Sequence, residues 1–275
     1  MQEYKKVYPG GHAPARWLGW LVLILSFLVI LPGFFHREGT NSTITPVPTQ
    51  TPVPLQEQFD ETMETCRWSL PEINWYALQL GAFEQADSAQ TLAEQFMGRG
   101  AAGYLWQDDR YRVLAAIYAS ETDARNVRQQ LSQQHGVDSY LYRISLPSID
   151  VQISGMRGQI ENLQAAFLHA TDLITSLQEI SLKSDRSEMG REELAAAAAS
   201  LQQQTELVRL RLYQRFPEPR NGTVAGLIRL FEDYATYAAA LPADEAEVLV
   251  GAKLKYQTIR SLDLLKQVYD TLGNT

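Results

Sequence analysis

The chain has 275 residues, 45% of them hydrophobic and 20% charged, which excludes a wholly disordered or fibrous protein and leaves room for two modest domains. A net charge of -8 excludes sequence-independent capture of nucleic acid, which needs clustered Lys and Arg. The single cysteine, Cys66, excludes an internal disulfide and a cysteine-rich metal site, so the fold must rest on hydrophobic cores.

Residues 17–35, WLGWLVLILSFLVILPGFF, carry no charge. A helix of that length crosses a bilayer at ~1.5 Å per residue, so a transmembrane helix is expected here. Lys5, Lys6 and Arg16 precede it against Glu3, while Arg37 and Glu38 cancel after it. The positive-inside rule then makes residues 1–16 a cytoplasmic tail and places everything after Phe35 outside. A cleaved secretory signal is the competing reading, disfavoured by the length of the run and the lack of a small-residue cleavage site; either one exports the remainder. Residues 36–69 read as a linker, because the stretch 39–54 combines Thr, Ser and Pro and cannot bury a core.

An ordered module is expected over residues 70–147. Residues 75–83, WYALQLGAF, alternate Leu78 and Leu80 against Ala77, Gln79 and Gly81, the period of a half-buried strand. Ser88 opens an amphipathic helix with Ala89, Leu92, Ala93 and Phe96 on one face, ended by Gly98 and Gly100. Two strands follow at 104–107 and 111–118 around the turn residues Asp108 and Asp109. A second helix starts at Glu121 or Thr122, buries Ala124, Val127 and Leu131, and closes at His135 and Gly136 before a last strand at 139–146. The order β-α-β-β-α-β commonly makes a four-stranded antiparallel sheet with both helices on one face, leaving the other free for a ligand. Strand parity puts Gln79 and Arg112 on that free face, opposite Leu78, Leu80 and Val113.

The first-strand run from Trp75 to Phe83, followed by Tyr111, Arg112 and Val113 in the third strand, resembles the SPOR domain, the sporulation-related repeat. The resemblance implies an α+β module that binds glycan strands of peptidoglycan, especially strands stripped of stem peptides, and targets proteins to division septa or sporulation-associated wall. It also implies that Gln79 and Arg112 line the glycan groove, with Gly81 and Ala82 of the first-strand motif among the glycan-binding residues. The chain departs from the family pattern in having Ala116, Ile117 and Tyr118 after the third-strand motif, Ala82 after the motif glycine, and Arg110 where some relatives place an aromatic. Trp106 is therefore the candidate ring for stacking on sugar.

Residues 148–275 are expected to form an all-α bundle. Met156, Ile160, Leu163, Phe167, Ala170, Ile174 and Leu177 recur at heptad spacing, and Leu194, Ala198, Leu201, Thr205, Val208 and Leu212 repeat it after a polar break at 183–188. Pro217 and Pro219 end the second helix, a third runs from Thr223 toward Pro242, and a fourth, capped by Asp244, carries Leu249, Ala252, Tyr256, Ile259, Leu262 and Leu265. The first seam closes either within the chain or against a partner.

No nucleophile elbow, zinc-binding pair of histidines, phosphate loop or paired CxxC occurs, and His12, His36, His135 and His169 are scattered. Acidic neighbours such as Asp108 and Asp109 lack the separation of glycosidase carboxylates. These observations lead to the expectation of a non-enzymatic, cofactor-free protein, single-pass in the cell membrane, that binds peptidoglycan and engages a division, sporulation or wall-remodelling partner through its helices. The alternative is a membrane-tethered scaffold or oligomerisation protein acting through the bundle.

Overall fold

A computed structural model describes residues 62–218, 222–240 and 247–273. The expected transmembrane helix at 17–35, the tail before it, most of the linker and the Asp244 cap lie outside the described residues. Among the described residues no helix is long and apolar enough to cross a membrane.

Six strands and six helices follow in chain order: β1 (Met63–Leu70), β2 (Ile73–Phe83), α1 (Ala86–Met97), β3 (Tyr104–Gln107), β4 (Tyr111–Tyr118), α2 (Glu121–His135), β5 (Tyr140–Leu146), β6 (Ile149–Met156), α3 (Arg157–Asp185), α4 (Arg191–Arg215), α5 (Gly222–Ala239) and α6 (Glu247–Gly273). The stretch from β2 to β5 has the expected β-α-β-β-α-β order and forms an antiparallel sheet with strand order β3-β4-β2-β5. Local chemistry sets the ends of α2. The Ser120 hydroxyl accepts from the Asp123 amide at its start, and Gly136 closes it at φ 62, a left-handed conformation that costs glycine little.

The strands at 63–70 and 149–156 depart from the expected organisation. Residues 63–69, expected as the end of the linker, and 149–156, expected as the start of helix, instead pair antiparallel from Met63 opposite Met156 to Leu70 opposite Ile149. The pairing continues the β2–β5 ladder, in which Ile73 faces Leu146, beyond Pro71 and Pro147. Cys66, Trp68 and Leu70 alternate with polar residues, as do Ile149, Val151 and Ile153, so one face of the ribbon turns toward the core. The Trp68 ring meets Phe167 of α3 edge-on at 4.9 Å. The Arg157 amide donates to the Thr62 carbonyl, bringing the chain before β1 beside the start of α3.

Helices α3 to α6 close a ring in which α3 packs on α4 and α6, and α5 packs on α4 and α6. The first heptad seam is therefore filled from the same chain, with Phe167, Ala170, Ile174 and Leu177 all buried, whereas Met156 ends β6 and is 41% exposed. His169 spans α3 and α4 through a 3.0 Å hydrogen bond with Thr205.

The sheet has two faces with different partners. Leu78, Ala116 and Ala124 cluster on one side with Val127 and Leu131 of α2, and Val113 clusters with Ala89 and Ala93 of α1, so both helices cover the same face as expected. The expectation of a free opposite face is overturned. Trp75, Ala77, Tyr104, Trp106, Leu114, Ile117, Ile144 and Leu146 belong to one continuous core with the buried residues of α3 and α6. Tyr104 donates a 2.7 Å hydrogen bond to Asp263 and meets the Tyr256 ring edge-on at 5.0 Å. Lys255 donates to the Gly100 carbonyl at 2.9 Å and pairs with Asp185. The physical cause is the strands' own composition: a row of large apolar side chains exposed to water would lose roughly 1.5–3 kcal/mol each, and the bundle removes that penalty. Such a sum rivals the net stability of an entire domain, so the bundle is part of the fold and not a detachable lid.

Sheet and bundle are therefore expected to unfold together. Leu114→Ala, which leaves a cavity at their junction, should lower unfolding free energy by about 2–5 kcal/mol. Tryptophan fluorescence and far-ultraviolet circular dichroism, followed in urea, should move in one transition; two separated transitions would contradict the shared core.

Candidate functional site

One end of the bundle-facing side of the sheet remains open. Register places Gln79 of β2 opposite Leu114 of β4 and Tyr140 of β5, while Arg112 faces Ala82 and Trp106. The residues between these positions and the bundle are buried, but Gln79, Arg112 and Tyr142 are half-buried and Tyr140 is 66% exposed. This is the part of the face that a ligand can reach.

Arg112 organises it. Its Nη1 donates to Gln79 Oε1 at 3.0 Å, its Nε to Asp108 at 2.7 Å and its Nη2 to Asp109 at 2.6 Å. The guanidinium carbon lies 4.6 Å from the centre of the Tyr142 ring, within range of a cation–π contact. The Tyr142 hydroxyl donates to Asp108 at 2.7 Å. Asp108 also accepts from the Arg110 amide, so the β3–β4 hairpin holds its own carboxylate in place. The side chain of Arg112 keeps only 17% of its exposure, which fixes a normally mobile group in one orientation.

The electrostatics follow from these contacts. Partial burial pushes the Asp108 carboxyl up, but hydrogen bonds from Arg112 and Tyr142 outweigh it and hold it well below the usual carboxylate range. Burial, then the hydrogen bond to Asp108 and that residue's charge, push the Tyr142 phenol up to about 12. The hydrogen bond to Asp108 raises Arg112 further, so it stays cationic.

Residues 75–143 match the family model of the SPOR domain. This chain contains a SPOR domain. The match runs from β2 into β5 and leaves β1, β6 and the four-helix bundle outside it. Comparisons with curated proteins and with solved structures found no match. SPOR domains bind peptidoglycan and are binding modules, not catalysts.

Within the SPOR domain, Gln79 and Arg112 share one face and are hydrogen-bonded to each other. Ala82 lies opposite Arg112 in the β2–β4 register, beside the cluster. Gly81 serves packing: a Cβ there would come within 2.9 Å of Leu92 on α1 and 2.8 Å of Phe83. Trp106 is not at the surface. It is 3% exposed and packed into the core shared with the bundle, because it points the same way as Tyr104 on a strand that α6 covers. The ring beside Arg112 belongs instead to Tyr142, with Tyr140 next to it on the same face of β5. Sequence reasoning missed these two tyrosines, although their alternation with Leu141 places them on the same side as Ile144 and Leu146. It also read Asp108 and Asp109 only as turn residues.

A cleft of about 770 Å³ opens beside the other face of the sheet, lined by Leu80, Phe96, Ala115, Val127 and Leu131 and also by Asp185 of α3 and Lys255 of α6. It includes neither Gln79 nor Arg112. Among the described residues no group of three or more His, Cys, Asp or Glu could hold a metal ion.

The Asp108 contacts make a pH-dependent prediction. Because its carboxyl is held low in the folded chain, Asp108 contributes stability above the ordinary carboxylate pKa and loses it as pH falls toward the folded value. Asp108→Asn should cost at most about 1 kcal/mol near neutral pH, and the difference from wild type should vanish in acid. In the same variant the Tyr142 phenol, followed by NMR of labelled tyrosine, should titrate lower than about 12.

Proposed function

We propose that this protein is a non-catalytic binder of peptidoglycan glycan strands, preferring strands stripped of stem peptides. In this reading it grips them at the open end of the SPOR sheet, through Gln79, Arg112 and the two tyrosines of β5. The observation that carries this is the Gln79–Arg112 pair, locked by a 3.0 Å hydrogen bond over the Tyr142 ring at the one accessible end of the face. An amide and a guanidinium in fixed orientation suit sugar hydroxyls and acetamido carbonyls, and the exposed Tyr140 ring suits the apolar face of a pyranose. The uncharged run at 17–35 supports anchorage in the cytoplasmic membrane with the SPOR domain outside, which fits targeting to septal or sporulation-associated wall.

A second reading is a membrane-tethered scaffold in which the helical bundle engages a protein partner. It is favoured by the extent to which the bundle covers the sheet, leaving only one end for sugar.

The two readings separate in a pull-down of the full chain on purified wall sacculi, with and without amidase treatment. Glycan binding predicts retention that rises after amidase treatment and falls at least about tenfold in the Gln79→Ala, Arg112→Ala double variant, since two half-buried hydrogen-bonding groups are removed. Retention unchanged by both substitutions would exclude this site, and no retention by wild type would favour the scaffold.

A further inference from the structure

The Gln79–Arg112 site carries its own counter-ions. Arginine presents five N–H donors in a fixed fork. In this protein Nε faces both Asp108 oxygens, at 3.0 and 2.7 Å, and one Nη2 donor faces Asp109 at 2.6 Å. Both carboxylates come from the hairpin that also carries Arg112, so they are present whether or not a ligand is. Arg110, in the same turn, brings the formal charge of the hairpin to zero and offers its amide to Asp108. A ligand carboxylate approaching the guanidinium would therefore have to displace a paired Asp, or sit beside two negative charges.

The remaining donors are of a different kind. Gln79 Oε1 accepts from Arg112, which leaves the amide nitrogen of Gln79 to donate to a ligand. Together with the guanidinium N–H groups that face no acid, it makes a donor surface without net charge. Such a surface matches an uncharged acceptor, an acetamido carbonyl or a hydroxyl, better than an anion.

Resting on the glycan-binding reading of this site, we infer that Asp108 and Asp109 are specificity-determining residues: they saturate the charge of Arg112, so the site reads the N-acetyl groups of the strand and is indifferent to its carboxylates. The distinction matters chemically, because cleaving a stem peptide from its lactyl ether leaves a free carboxylate on every second sugar. Recognition of stripped strands then depends on access to the sugars and not on attraction to the newly exposed anion.

The test compares two forms of one polymer. Amidase-stripped glycan strands are used as such, or with their carboxylates converted to methylamides, and binding to the full chain in detergent is measured at low and at physiological salt. Wild type should bind both forms within about twofold and with little salt dependence, because its guanidinium charge is already compensated. Asp108→Asn, which keeps an acceptor for the Arg110 amide, should bind the carboxylate form about fivefold more tightly at low salt, the scale of one freed surface charge. That gain should disappear on amidation or at higher salt. Asp109→Asn, which removes only the Nη2 contact, should shift binding in the same direction by less.

The inference is overturned if amidation weakens wild-type binding about tenfold, the mark of a genuine arginine–carboxylate contact. It is equally overturned if Asp108→Asn and Asp109→Asn both leave the two forms indistinguishable while wild type binds each. Failure of wild type to bind either form overturns the glycan reading itself, and this inference with it.

Discussion

A sheet with two apolar faces cannot stand alone in water, and that constraint governs the arrangement of the described residues. Leu78 and Val113 demand cover on one side and obtain it from α1 and α2, while Trp75, Leu114, Ile117, Ile144 and Leu146 demand it on the other. The bundle satisfies the second demand. Its polar contacts with the SPOR module, Asp263 to Tyr104 of β3 and Lys255 to Gly100 in the turn after α1, orient the docking, but the hydrophobic area removed from water supplies most of the free energy.

The ribbon of β1 and β6 follows from the same constraint. It extends the central strand β2 and the edge strand β5 past Pro71 and Pro147, where neither residue has an amide N–H to continue the ladder. Beyond that interruption the ribbon lays Trp68 and Leu70 against the bundle, tying the sheet's entry and exit to α3 and α6. Tyr269 of α6 adds a hydrogen bond to the Pro71 carbonyl. The chain thus enters the described structure beside the start of α3, on the ribbon and not on the SPOR sheet itself.

With most of one face claimed by the core, its accessible part is confined to the rim. Polar side chains persist there because the bundle does not reach them, and they satisfy each other: Gln79, Arg112, Asp108 and Tyr142 form a continuous hydrogen-bonded set. A network of this kind is stiff, since each donor is positioned by the next. Such stiffness leaves little side-chain entropy in these groups to be lost in any further contact.

Sequence periodicity determined the SPOR module's element order and the side shared by Gln79 and Arg112, and the order in turn implied that both helices cover one face. Each depends on local alternation or helical spacing within a few residues, as at Leu78 and Leu80 or at Ala124, Val127 and Leu131. It also indicated the helical character of the last third, because the Phe167, Ile174 and Leu177 spacing is strict. Only tertiary structure decided what lies over the second face, whether Trp106 meets solvent or core, and which ring sits beside Arg112. Those outcomes depend on packing between segments far apart in the chain, as between Tyr104 and Asp263 or Trp68 and Phe167, and an alternating strand reads the same whether its outer row faces water, sugar or another helix. The strands β1 and β6 escaped for a related reason: each lies next to a proline at a boundary between segments, and what makes it a strand is a partner about ninety positions away, such as Ser154 for Thr65.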